Sequence, residues 1–173
     1  LRGVKQLRWA AEHMTGQTAS PFEVQTSMLV SLPRDEGGMG INIANNVRIP
    51  LSDAARSLYD KTCCYADILI ESNIDSMGVI LECQGRSAHD SEAASLSDAE
   101  RTTALTSMGY DVIQITYEQI KDTKSFNNIA ELIHKKAGLP YIPKTDQERT
   151  AAETLRRELL VNWDELFSVK PAG

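Results

Sequence analysis

Two carboxylates stand in segments that otherwise want burial: Asp67 in the run from Tyr65 to Glu71, and Glu82 in the run from Gly78 to Cys83. Both runs are apolar and rich in β-branched residues, and the polar stretch 72–77 between them reads as the turn of an antiparallel pair. A symmetric connection sets Leu69 opposite Ile80 and Asp67 opposite Glu82. Residues opposed in this way have Cβ atoms about 4.5–5.5 Å apart, and like charges at that distance destabilise a sheet. A divalent cation offsets the repulsion. Mg²⁺ takes oxygen ligands, commonly one or two carboxylates with water and substrate phosphate. Gln84, two residues after Glu82 on the same face, can hold a water or a phosphate oxygen beside such an ion. The plainer alternatives are that acids near strand ends point into solvent, or that a slip of one residue separates the pair.

The elements that must position these groups can be read from caps and periodicity. Val4, Leu7, Ala10 and Ala11 predict a first helix over 3–14. Ser20-Pro21-Phe22-Glu23 supplies an N-cap, a proline at the first helical position and a glutamate at the third, which predicts a helix over 21–31. By spacing alone, that capping role is the favoured reading of Glu23. Ile41, Ile43, Val47 and Ile49 predict a short strand or irregular hairpin that starts the sheet. Both faces of the 65–71 and 78–83 segments are apolar, so that pair belongs in the middle of a sheet covered on both sides. Ser97-Asp98-Ala99-Glu100 predicts a helix over 98–108 that stops at Gly109, and 112–116 predicts a strand parallel to 78–83 through a right-handed crossover. Helices over 117–121 and 126–137 follow, then a turn and an amphipathic helix over 145–166.

Composition narrows the class. The 173 residues carry a net charge of −6, with 42% apolar and 24% charged residues, so one ordinary packed domain is expected and not a disordered or collagen-like chain. No apolar run reaches the roughly 20 residues that cross a bilayer, and no charged-then-apolar segment at the given N-terminus resembles a secretion signal, which makes the cytoplasm the default expectation and gives no membrane partner. Three cysteines, Cys63, Cys64 and Cys83, form no disulfide framework and no zinc-ligand spacing. With a pI near 5.1, the chain must meet any nucleic acid through a local basic patch. Its first residue is Leu, and the sequence is expected to be part of a longer protein.

Ser20-Pro21-x-Glu23 on a helix, Asp67 on a strand, Glu82-Cys83-Gln84 on the next, then His89, Asp98, Arg101 and the strand entry Gly109-Tyr110-Asp111-Val112 follow one another in an order that resembles the PD-(D/E)XK nuclease superfamily. More narrowly, the order resembles the branch of very-short-patch repair endonucleases. The resemblance spans about residues 4–137 and implies an α/β fold: a three-layer α/β/α restriction-endonuclease-like core with a mixed sheet. It also implies a Mg²⁺ (or Mn²⁺) centre that hydrolyses phosphodiesters, in DNA ahead of RNA. Asp67 and Glu82 would be the metal ligands, joined by Glu23 from its helix. Gln84 stands where the family usually has a lysine that positions the attacking water. His89 would move a proton and Arg101 would clamp phosphate or neutralise the acids; solvation of His89 and a surface pair between Arg101 and Asp98 are the ordinary alternatives.

Residues 1–140 would then form the nuclease-like domain and 141–173 a C-terminal amphipathic helical extension packed on it. Its stripe of Ala152, Leu155, Leu159, Trp163 and Leu166 either docks on the domain or pairs with a second copy as a homodimer. The alternative to an endonuclease is a nuclease fold without catalysis that binds nucleic acid or a protein partner in a bacterial defence or toxin-type system.

Overall fold

The structure is a computed structural model and describes residues 16–84 and 92–160. The predicted helix over 3–14, His89, Trp163 and Leu166 lie outside the described residues. Helix α1 (Pro21–Ser31) starts as its cap predicts: the Ser20 hydroxyl accepts from the Glu23 N–H. A 3₁₀ turn (Arg34–Glu36) follows, then strand β1 (Ala44–Pro50) and the short helix α2 (Asp53–Arg56). Strands β2 (Cys63–Ile70) and β3 (Gly78–Gln84) form the expected antiparallel pair. Helix α3 (Glu92–Ser107) leads to strand β4 (Tyr110–Thr116), and helices α4 (Tyr117–Lys121), α5 (Thr123–Ala137) and α6 (Asp146–Leu159) complete the order.

The fold is α/β, with a mixed four-stranded sheet in the order β1-β2-β3-β4. β1 and β3 run antiparallel to β2, and β4 is parallel to β3, as the intervening helix requires. The register is the symmetric one: Leu69 pairs with Ile80 and Ile68 with Leu81. Val79, Ile80 and Leu81 are all fully buried, so β3 has no solvent face. Val79 and Leu81 join a core built with α1, α4 and α5, while Ile80 joins a second core with Ala104 and Leu105 of α3. Helices therefore cover both faces of the sheet.

Three sequence expectations need correction. α3 begins at Glu92 rather than 98, so Ser97-Asp98-Ala99-Glu100 lies inside the helix and caps nothing. The first strand begins at Ala44, which leaves Ile41 outside it, packed in the core before the sheet begins. α6 ends at Leu159 among the described residues, short of 166.

Within 146–159, the apolar stripe faces the domain: Ala152 is buried, and Leu155 and Leu159 pack against the α1–α5 core. Arg34 Nε and one terminal nitrogen each donate to a Glu148 oxygen at 2.8 Å, which ties α6 to the 3₁₀ turn. Gly37, at φ +98°, is the contact point, because a Cβ there would lie 2.6 Å from the Ala151 carbonyl oxygen. Gly37→Ala therefore combines backbone strain with a steric clash, and we expect it to lower stability by more than about 1 kcal/mol. A urea melt checks this, and an unchanged midpoint would refute the close approach.

Candidate active site

Position 67 is a discontinuity in β2. Cys64 and Ala66 face the α3 core, whereas Ile68 and Ile70 face the opposite core, although residues two apart in a regular strand share a face. The β1–β2 ladder pairs Asn45 with Ile68 and Val47 with Ala66 but skips the step between them. Asn46, at that step, has φ +50°, a conformation Asn tolerates better than most residues. The β2–β3 ladder also stops at Ile68 and Leu81, immediately before Asp67 and Glu82. Asp67 thus stands where both neighbouring ladders are interrupted, and its side chain takes over: Oδ2 accepts from the Cys83 backbone N–H at 2.7 Å.

Glu82 follows Leu81 on β3 and points to the α3 side, as Ile80 does. It is 6% exposed. One terminal nitrogen of Arg101, on α3, donates to Glu82 Oε2 and also reaches the Tyr65 carbonyl at 3.4 Å. Among the described residues, Glu82 Oε1 is buried with no hydrogen-bond partner. Burial pushes the Glu82 carboxyl up to about 7, with the Arg101 cation opposing and the Asp67 and Asp98 charges adding. Burial also raises Asp67; the Cys83 N–H opposes, the Glu23 charge adds, and Arg101 opposes again. These shifts describe acids held in electrostatic contact and only partly neutralised.

Glu23 is 7% exposed, and its carboxylate is engaged at the start of α1: Oε2 accepts from Ala19 N–H at 2.7 Å and Oε1 from the Ser20 hydroxyl at 2.9 Å. The capping role is thus realised, and Glu23 reaches Asp67 through its charge. Gln84 is the last residue of β3, half-buried beside Thr116 of β4. Arg101 pairs with Glu82, so its neutralising role is the one observed, and Asp98 acts on Glu82 through its charge. Cys83, on the opposite face, touches Thr26; burial pushes its thiol up to about 12, so it is packing and not a nucleophile. The sequence reading missed the Cys83 N–H that orients Asp67, a main-chain donor that no side-chain motif records. The Asn45-Asn46 pair was the available signal for the distortion that frees it.

Among the described residues, no group of three or more His, Cys, Asp or Glu side chains stands close enough to hold a metal ion. A two-carboxylate site asks less, since Mg²⁺ commonly takes one or two protein carboxylates and fills its shell with water and phosphate. Glu82 and Asp67 fit that demand. Both donors are hard oxygens, and Glu82 Oε1 is a buried lone-pair group that lacks a partner. Comparison with family models, curated proteins and solved structures finds no match to this chain. Among the described residues, no helix is long and apolar enough to cross a membrane.

Proposed function

We propose that the chain is a metal-dependent DNA endonuclease of the PD-(D/E)XK type, with a three-layer restriction-endonuclease-like core. The observation that carries this reading is the buried Glu82 carboxylate, half satisfied by Arg101, next to an Asp67 that a break in two ladders holds in place. Asp67 and Glu82 would hold Mg²⁺ or Mn²⁺, with the Glu23 charge nearby. When bound, the ion supplies Lewis-acid polarisation of the phosphate and a more acidic ligated water.

The chain's own residues do the remaining work. The Cys83 N–H fixes the Asp67 carboxylate, so no reorganisation is needed when substrate arrives. Arg101 neutralises Glu82 in the free protein and turns to a phosphate oxygen once Glu82 is otherwise compensated. The Gln84 amide, lacking the charge of the family's usual lysine, orients a water or a phosphate oxygen through hydrogen bonds. A ring nitrogen of His89 carries a proton to or from the reacting oxygens.

One feature favours the second reading, a nuclease fold without catalysis that binds nucleic acid or a protein: Arg101 already compensates Glu82, and Gln84 brings no charge. The deciding experiment is cleavage of supercoiled plasmid and of labelled DNA and RNA with Mg²⁺, Mn²⁺ or EDTA, beside Glu82→Gln. Cutting that needs metal and is lost in the variant supports the endonuclease. No cutting, together with no heat of Mn²⁺ binding, supports the binding module.

A further inference from the structure

At the other end of the β2–β3 ladder from the acids, the segment that joins α5 to α6 closes over two neighbouring cavities of about 350 and 250 Å³, which share Arg34 and His134 in their walls. The smaller one is lined by Phe126, Asn127, His134, Tyr141, Lys144 and Arg149, as well as Arg34. Two of its cations are already compensated. Arg34 binds Glu148 through both carboxylate oxygens, and Arg149 pairs with Asp146.

Among the described residues, neither Lys144 nor the nearby Arg156 forms an ion pair, although Arg156 feels the charge of Asp122. Among the described residues the Lys144 ammonium donates to the Gly37 carbonyl alone, at 3.4 Å, and the carboxylate whose charge it feels, Glu148, is bonded to Arg34. Burial and the charges of Arg34 and Arg156 push the Lys144 ammonium down. Arg156 is 9% exposed and lies over the ring of Phe126, a wall of the cavity. One terminal nitrogen donates to the Lys121 carbonyl, and the other is buried without an acceptor. Lys144, half-buried in the wall of the cavity, and Arg156, buried behind Phe126, leave positive charge there that an anion would compensate.

We propose that this cavity binds a phosphate monoester, with Lys144 as the principal contact. A volume near 250 Å³ admits a small molecule or the end of a chain and excludes a duplex. The rings of Phe126 and Tyr141 and the Asn127 amide offer stacking and hydrogen bonds to an attached organic group such as a nucleoside. The proposal is independent of the nuclease reading, because none of its residues belongs to the acidic site.

The test is thermal unfolding and titration calorimetry of the whole chain with inorganic phosphate, adenosine monophosphate and adenosine, and with an oligonucleotide bearing a 5′-phosphate or a 5′-hydroxyl. Monophosphate at tenfold excess over its Kd is expected to raise Tm by about 3–5 °C, while adenosine does not. Lys144→Met removes the rise and keeps a ligand-free Tm at or above the parent's; Lys144→Arg retains binding. A rise with the 5′-phosphorylated oligonucleotide alone assigns the ligand to a nucleic acid end, and one with the monophosphate alone to a free metabolite. Absence of heat and of any Tm change with every phosphate, or an equal rise in Lys144→Met, overturns the proposal.

Discussion

Glu82→Gln is expected to lower metal-dependent DNA cleavage by about 10³-fold or more while leaving the chain folded. The substitution keeps the shape and an acceptor for Arg101 but removes the charge, so it separates chemistry from packing. A loss of that size is about 4 kcal/mol of transition-state stabilisation, which matches the several kcal/mol expected of a bound divalent ion acting as a Lewis acid. Asp67→Asn should fall similarly, because in the proposed site its carboxylate would hold the same ion. Single-turnover cleavage in Mn²⁺ with calorimetric Mn²⁺ titration makes the measurement: a Glu82→Gln protein that cuts at the parent rate would remove Glu82 from the mechanism.

A second large effect concerns the metal-free protein. The Glu82 carboxyl is raised from 4.5 to about 7, so the folded chain holds its proton more tightly than the unfolded chain does. For an acid raised in this way, the stabilisation is fully present below pH about 4.5, declines as pH rises toward 7, and is gone above it. A change of that size corresponds to about 3 kcal/mol. Asp67 is shifted in the same direction and steepens the decline. Glu148, lowered to about 2 by Arg34, and Asp122, lowered by the Ser125 N–H, act oppositely, and their contribution disappears as acid protonates them below pH 4.5. Stability in EDTA should therefore peak near pH 5 and fall toward pH 8. Glu82→Gln should flatten that fall and exceed the parent by up to about 3 kcal/mol at pH 8. Urea melts across this range decide it: a parent that gains stability from pH 5 to 8 would refute the assignment.

The local chemistry of the chain made its central elements legible. Ser20-Pro21-Phe22-Glu23 placed α1 to the residue, and a short symmetric turn after Ile70 left the β2–β3 register little freedom. Apolar residues on both faces of β3 announced helices on both sides of the sheet. The start of α3 was misread because Ser97-Asp98-Ala99-Glu100 satisfies the pattern of a cap wherever it occurs, and only the chain before it says whether the helix has already begun. Glu23 shows a similar ambiguity: one residue satisfied two patterns, and the structure engages its oxygens in the cap. The pairing of Arg101 with Glu82 spans a strand-to-helix crossover, and that of Arg34 with Glu148 spans most of the chain. Neither leaves a periodic trace in sequence. Identity of residue type was visible at both places; the partner was not.

The fork of Arg34 has one more consequence. Besides Glu148, it holds the carbonyls of Ile142 and Pro143 at 2.9 and 3.0 Å, so one side chain clasps both α6 and the segment leading to it. Neither can be released while the other stays bound without leaving that guanidinium half satisfied. In native-state hydrogen exchange, the amides of α6 and of its approach segment should consequently share one opening event, below global unfolding, and Arg34→Ala should speed exchange across the whole stretch by a common factor.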